Sequence, residues 1–462
     1  MNIALCISWV VLASIAYSFY NAFALKKERT VTFIKKGTAF SRIVFALIAL
    51  ELGGSMMLST CESAYSSGLY GLLYVVGFCI GFLLLGLGFA SKMKAMNVEN
   101  TIDLFEIRYK SPLIRISAAI LSILTTGGLL VGQIVAAKSL VHTLGINSDI
   151  LFICFSAAVI LYALWGGLRF AGLAYNFQLV YTVLLFSTIF GFCIFKEPPS
   201  FFTDFVLNPS LFDASSASFS AIFSSLVMPA LYYLTDQEFA SPLFTIAHSK
   251  KATVCALSAS IFMLLFSLVP IYFGIKAKAL HLVIEPGINP LIPVLKILTN
   301  DALALLAVAG MAAALIALID YYLWSLSLSI THELGLAFKS LRNNTKLDKS
   351  LVVVAGIAGI IGSYCTTSNA LNVLLYSYEL YDSCLIVPLL MSYFQTDLKK
   401  GCAIGAFLAG LGSFIIFRII IIPIPTQIAS LVLSLGGFYL GGMIESIIRQ
   451  LPIFKRSRTC SV

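Results

Sequence analysis

Charge is scarce in this sequence: Asp, Glu, Lys and Arg together make up 11% of the 462 residues, whereas 59% are hydrophobic. The surface of a soluble domain carries far more charge than this. There are only 4 histidines, and the 10 cysteines form no C-x-x-C pair, so the usual ligand spacings of a metal site are missing. The sequence also contains neither a G-x-S-x-G turn nor a phosphate-binding loop. These absences argue against an enzyme.

Long apolar blocks fill most of the chain. A helix that crosses the roughly 30 Å hydrocarbon core of a bilayer needs about 17–25 apolar residues. Blocks that approach this length lie near 1–24, 40–60, 68–91, 113–140, 149–165, 172–195, 217–234, 252–275, 303–330, 351–366, 370–394, 401–421 and 425–447. The sequence therefore predicts an all-α polytopic membrane protein with about thirteen transmembrane helices. We expect the first block to be a retained helix and not a cleaved signal peptide.

The basic residues alternate between connections. Lys and Arg cluster at 26–42, 92–115, 250–251, 339–349 and 449–458, and the connection at 61–67 has none. Because Lys and Arg stay in the cytoplasm during insertion, this pattern predicts an external N-terminus and a cytoplasmic C-terminus in the plasma (inner) membrane. The formal charge of +9 is thus explained by basic loops beside the lipid bilayer, which is the expected partner, and a nucleic-acid partner is not needed to explain it.

The second block contains an acid and two adjacent glycines, Glu51, Gly53 and Gly54, inside an apolar run. Glycine weakens a helix, and an intramembrane carboxylate needs a partner or water. One interpretation is a close helix contact, with Glu51 near the membrane interface. The other is an unwound break halfway across the membrane that lines a solute pathway.

Three further polar residues lie within apolar blocks. Asp320 is a functional candidate by its depth, although a hydrogen bond to a neighbouring tyrosine would be a structural explanation. Gln133 carries an amide that can hydrogen-bond a polar solute. Lys138, nearer the external end of the same block, is expected to extend to the membrane interface.

Four segments together resemble the sodium:solute symporter family, which includes proline, pantothenate and sugar symporters. They are T-I-D-L-F-E-I-R-Y at 101–109 followed by Q-I at 133–134, Y-A-L-W-G-G-L at 162–168 with Gln178 beyond it, A-Y-S-S-G at 64–68, and V-P-L-L at 387–390 leading to K-G-C-A at 400–403. The resemblance covers roughly residues 40–415.

This resemblance implies a LeuT-like core of two inverted five-helix repeats, 40–195 and 217–395. Residues 1–39 then form an extra helix with a basic cytoplasmic loop, and residues 396–462 form two C-terminal helices with a basic tail. It also implies secondary active transport of a small organic solute by alternating access, and by family frequency that solute is an amino acid such as proline or a carboxylate such as pantothenate. The alternatives are a transport-incompetent paralogue or a membrane sensor with the same fold, and an enzyme acting on lipid-linked substrates.

The family's sodium site falls on five positions of this sequence. The resemblance implies carbonyl ligands from Ala49, Leu52 and Ala314, and hydroxyl ligands at the positions of Ala317 and Leu318. The last two side chains have no oxygen, whereas a hard cation prefers oxygen ligands.

A second departure agrees with the first, because the family's Thr-Asp pair falls on Ala174 and Tyr175. Burial favours the uncharged form of a carboxyl group. We therefore predict that Glu51, alone or with Asp320, couples transport to protons, or that coupling is absent; no other cofactor is expected. Met56 stands where sugar transporters of the family have a substrate-binding glutamine, which argues against a sugar.

Overall fold

The structure is a computed structural model, and it describes residues 40–89, 92, 96, 101–143, 148–166, 168–196, 218–235, 243, 249–285, 287–335, 345–420 and 424–450. Within these ranges all regular secondary structure is helical. The first predicted block, most of the basic loop after it and the tail beyond 450 lie outside the described residues.

The helices follow one another with short connections. They are α1 Phe40–Glu51, α2 Gly54–Ser67, α3 Leu73–Leu84, α4 Asp103–Tyr109, α5 Pro112–His142, α6 Ser148–Gly166, α7 Leu168–Lys196, α8 Phe219–Thr235, α9 Ser249–Ala279, α10 Leu291–Leu298, α11 Asp301–Ser329, α12 Thr345–Cys365, α13 Ala370–Tyr381, α14 Val387–Phe394, α15 Lys400–Ile419 and α16 Thr426–Gln450. A 3₁₀ turn, Gly68–Leu72, joins α2 to α3. Single π-helical turns extend α3 and α11 and join α13 to α14.

The described helices coincide with the predicted blocks. Among the described residues, 9 helices are long and apolar enough to cross a membrane, and 149–165 and 219–235 are shorter apolar helices. Each predicted block after the first corresponds to one of these helices or to the pair α1 and α2. The structure adds α4 in the predicted cytoplasmic connection and α10 in a predicted external loop.

Large apolar side chains cover the outer faces of the helices. Leu184, Leu265, Ile361, Leu408 and Val432 are all more than half exposed. Exposed apolar surface on this scale marks a lipid-facing exterior in a chain with so few charges. Together with the apolar helices, it identifies an integral membrane protein.

Two groups of helices meet where α2 contacts α5 and α11. The first group, named here the bundle, consists of α1, α2, α3, α8 and α9; within it α9 packs on α1, α2 and α3, and α8 packs on α3. The second group, named the scaffold, consists of α5, α6, α11 and α12. Small residues allow close approach within the bundle: a Cβ on Gly77 of α3 would lie 2.3 Å from the Leu226 carbonyl oxygen of α8.

Candidate functional site

The predicted break in the second block is present. Helix α1 ends at Glu51 and α2 begins at Gly54, with Leu52 and Gly53 between them. Gly53 has an extended backbone (φ −106°, ψ 174°), and its N–H donates to the Glu51 carbonyl at 2.7 Å. In a continuous helix that N–H would bond the Ala49 carbonyl. The break therefore leaves backbone N–H and C=O groups without helical hydrogen-bond partners in the middle of a spanning segment. At membrane depth such groups are tolerated only where they face protein or a water-filled cavity.

Glu51 is the centre of a buried hydrogen-bond network. Its side chain is 7% exposed. Tyr74 of α3 donates to Glu51 Oε1 at 3.1 Å, and Tyr233 of α8 donates to Oε2. The Tyr378 hydroxyl of α13 lies 3.2 Å from each of these two tyrosine hydroxyls. Three hydroxyl groups from three helices thus surround one carboxylate, which is turned inward and not to the membrane interface.

The positions implied as a sodium site lie where α11 crosses the break. Ala49, Leu52, Ala314, Ala317 and Leu318 are all buried. A Cβ on Gly53 would lie 1.7 Å from Leu318 Cδ1, so this leucine packs directly on the broken backbone. The space between the break and α11 is therefore filled by an apolar side chain.

Gly54 also lies at the crossing of α2 and α11. A Cβ on Gly54 would lie 2.6 Å from Leu315 Cγ and 2.8 Å from the Met311 carbonyl oxygen. Only glycine lets α2 start this close to α11. Met56, two residues further along α2, is fully buried and presents no polar group to the site.

The other two polar candidates are buried without hydrogen-bond partners among the described residues. Asp320 is 0% exposed, and both its carboxylate oxygens lack a donor there, so the hydrogen bond to a neighbouring tyrosine, which was the structural alternative, is not formed. The Gln133 side-chain oxygen also has no partner within the described chain. Neither residue hydrogen-bonds to Glu51.

A cavity of about 340 Å³ opens between the bundle and the scaffold at the predicted external side. Its walls include Leu58 and Glu62 of α2, Ala136 and Lys138 of α5, and Asn369 at the start of α13. The Lys138 ammonium lies 3.5 Å from the Ser363 carbonyl and 3.7 Å from the centre of the Tyr364 ring. Lys138 therefore lines the cavity. The sequence predicted only that its side chain extends to the membrane interface.

Several polar residues of the interior were not singled out in the sequence. Besides the three tyrosines, Asp382 is fully buried in the π-helical turn after α13, and both its oxygens lack hydrogen-bond partners among the described residues. Arg115 of α5 pairs with Asp103 and Glu333. An acid within an apolar block was the available signal for Asp382, as it was for Asp320.

Comparison with known proteins supports the resemblance to the family and shows the fold. Residues 37–205 match the model of the sodium:solute symporter family. The structure is similar to a Na⁺-coupled sialic acid symporter in a substrate-bound outward-open state, with a TM-score of 0.69 and 16% sequence identity over 96% of each chain. It is also similar to MhsT in complex with L-phenylalanine, with a TM-score of 0.51 and 12% identity over 89% of this chain and 98% of that one. The fold is therefore LeuT-like, and the resemblance read from the sequence motifs is correct.

These findings support a secondary active transporter and do not favour the alternative of a transport-incompetent paralogue or sensor. The family and the similar structures are transporters and not enzymes. The family match implies Na⁺ as a coupling ion and small organic solutes as cargo.

Proposed function

We propose that this chain carries a small organic solute through a site at the break between α1 and α2, next to Glu51. The observation that carries the proposal is a buried carboxylate at the end of a discontinuous helix. An intramembrane acid is costly to keep, and broken helices at membrane depth typically bind solutes and coupling ions. Gln133, Gly53, Gly54, Met56 and Asp320 belong to the surroundings we assign to this site.

Coupling to sodium does not fit the residues present. The carbonyls of Ala49, Leu52 and Ala314 remain available, but Ala317 and Leu318 supply no side-chain oxygen. Leu318 moreover packs against Gly53, where the broken backbone would have to face the ion. A hard cation held by too few oxygens is not desolvated favourably. We infer that protons, received by Glu51, take the place of sodium.

The two groups of helices suggest how the site opens. The bundle holds Glu51, Tyr74 and Tyr233, whereas Asp320 and Gln133 belong to the scaffold. In the proposed cycle the bundle rocks against the scaffold, so that the site faces each side in turn. The two groups draw helices from both proposed repeats, 40–195 and 217–395. We further propose that the N-terminus is external and the C-terminus cytoplasmic.

Counterflow in proteoliposomes tests the function. Pooled amino acids, vitamins, amines and organic acids are screened first, and the transported solute is then measured at controlled sodium concentration and pH. We expect transport that depends on pH, is indifferent to sodium, and loses its pH dependence in Glu51→Gln. Asp301→Asn, which removes an exposed acid at the start of α11, is the matched control and retains normal behaviour.

Opposite results would refute the proposal. Transport that follows external sodium, ignores pH and persists in Glu51→Gln would exclude proton coupling through this residue. If no pool is exchanged by folded protein, the solute-carrier proposal itself fails.

A further inference from the structure

The charge of Glu51 has no basic partner. No Lys, Arg or His among the described residues forms an ion pair with this carboxylate, and its hydrogen bonds come from tyrosines alone. A buried charge is normally paired, or is neutralised by a proton. When Glu51 is ionised, its negative charge is therefore not balanced by a positive charge among the described residues.

The walls around this carboxylate are aromatic. Tyr74 and Phe78 of α3 lie edge to face, with ring centroids 5.6 Å apart, and Tyr233 of α8 lies 5.6 Å from Phe78. Tyr378 of α13 lies 5.9 Å from Tyr233 and 4.5 Å from Tyr232. Aromatic faces attract cations, and they do so more strongly where water is excluded. In the present arrangement Tyr74 and Tyr233 direct their hydroxyl edges at the carboxylate, and an ammonium ion beside Glu51 would be bordered by hydroxyl oxygens and aromatic rings with no competing cation.

We propose that the solute carries an ammonium group, and that this group binds Glu51 among the rings of Tyr74, Tyr233 and Tyr378. The inference rests on the proposed function and deepens it by naming the solute class. It excludes solutes whose only charge is negative, because a second negative charge beside Glu51 would be repelled. It admits amines, quaternary ammonium compounds and amino acids.

The position of the network provides a route for this solute. Leu58, which lines the external cavity, lies on α2 seven residues beyond Glu51, across the break. Glu51, Tyr74 and Tyr233 belong to the bundle, whereas Tyr378 on α13 closes the network from outside it. Movement of the bundle away from α13 would separate Tyr378 from the other two hydroxyls and open the carboxylate to the cavity.

Protons and ammonium groups then compete for one carboxylate, so proton coupling through Glu51 takes the form of exchange: the proton leaves Glu51 when the ammonium group binds. Tyr74 of α3 and Tyr233 of α8 contact Glu51 directly, and Tyr378 of α13 contacts both of their hydroxyls. The next titratable side chains are Tyr322 of α11 and Cys79 of α3, whose thiol donates to the Ser260 carbonyl. Tyrosine and cysteine side chains normally stay neutral at physiological pH. Glu51 is therefore the group in this network whose protonation changes, and the affinity for the ammonium compound falls as the pH is lowered.

Thermal unfolding of the purified full-length protein tests binding without transport. The probes are choline, glycine betaine, arginine and putrescine, and choline is paired with its neutral isostere, in which a tert-butyl group replaces the trimethylammonium. We expect at least one ammonium compound to raise the Tm, and choline to bind at least about tenfold tighter than its isostere if choline is that compound. The stabilisation should weaken at lower pH, be several-fold weaker and independent of pH in Glu51→Gln, and remain unchanged in Asp301→Asn.

The possible outcomes separate this inference from the proposed function. The assignment is overturned if none of the ammonium compounds raises the Tm, or if the one that does acts equally on Glu51→Gln. It is also overturned if counterflow is confined to anionic solutes, a result that would leave the solute-carrier proposal intact. Because the pH dependence is measured on the unmodified protein, poor folding of the variant does not prevent a decision.

Discussion

Replacing Arg115 with methionine removes a buried guanidinium from among three carboxylates at the start of α5, those of Asp103, Glu106 and Glu333. Arg115 Nη2 lies 2.9 Å from Asp103 Oδ1 and 2.5 Å from Glu333 Oε2, and Nη1 donates to the Glu333 carbonyl at 3.3 Å. The side chains of Arg115 and Glu333 are 3% and 6% exposed. Removing one partner of a buried ion pair leaves the opposite charge buried without its main partner, which costs about 3–5 kcal/mol. We expect a loss of this size in the free energy of unfolding.

Lys110 provides the matched control, because it lies five residues earlier and also pairs with an acid. Its ammonium is 2.6 Å from Asp397 Oδ1, but the two side chains are 73% and 78% exposed. Exposed ion pairs contribute about 0–1 kcal/mol, so Lys110→Met should have little effect on the same measurement.

The assay is unfolding of the purified protein in mixed micelles by titration with a denaturing detergent. The double variant Arg115→Met with Glu333→Gln should recover much of the loss, because replacing both partners avoids the isolated buried charge. Equal losses for Arg115→Met and Lys110→Met would refute the reasoning that burial sets the cost.

Three further predictions concern other parts of the molecule. A Cβ on Gly405 of α15 would lie 2.0 Å from a carbonyl oxygen of α16, whereas Gly412 has open space, so Gly405→Ala should cost about 1–3 kcal/mol in the same assay and Gly412→Ala should not destabilise. Cys365 is exposed at the end of α12, which is external in the proposed orientation. A membrane-impermeant maleimide should therefore label it from outside intact cells. Labelling that occurs only after permeabilisation would show that the orientation is the opposite one. A hydrogen bond from Lys110 and its positive charge lower the pKa of Asp397. The pair therefore stabilises the fold at pH values above the ordinary pKa of a carboxyl group, and this stabilisation is lost as the pH falls below that value. Asp397→Asn should therefore leave the pH dependence of unfolding between about pH 6 and 8 unchanged.

The break at Gly53 was predictable because its signal is local. Two glycines and an acid within an apolar run conflict with a continuous spanning helix, and the conflict is visible in a few adjacent letters. The helix positions were predictable for a similar reason, because the length of an apolar block is set by the thickness of the bilayer. Neither inference needs a contact between distant parts of the chain.

The partners of Glu51 could not be predicted in this way. Tyr74, Tyr233 and Tyr378 lie on three separate helices, and the last is more than three hundred residues from Glu51 in sequence. A tyrosine in an apolar helix has the same local signature whether it faces lipid, core or a carboxylate. Only the packing of α3, α8 and α13 around the break brings the three hydroxyls together.

Asp320 and Glu51 have the same sequence signature, but their surroundings predict different roles. Glu51 accepts two hydrogen bonds from tyrosines, and a third tyrosine hydroxyl lies next to both donors. By rotating their hydroxyl protons, these groups can accommodate a carboxylate or a carboxylic acid, as reversible protonation requires. Asp320 is equally buried, yet no donor among the described residues reaches its oxygens. An ionised carboxylate without donors is strongly disfavoured, so we expect Asp320 to be uncharged throughout the cycle. Asp320→Asn should then keep the pH dependence of counterflow, which Glu51→Gln abolishes; if Asp320→Asn abolished it instead, the proton would have to be assigned to α11 and not to the break.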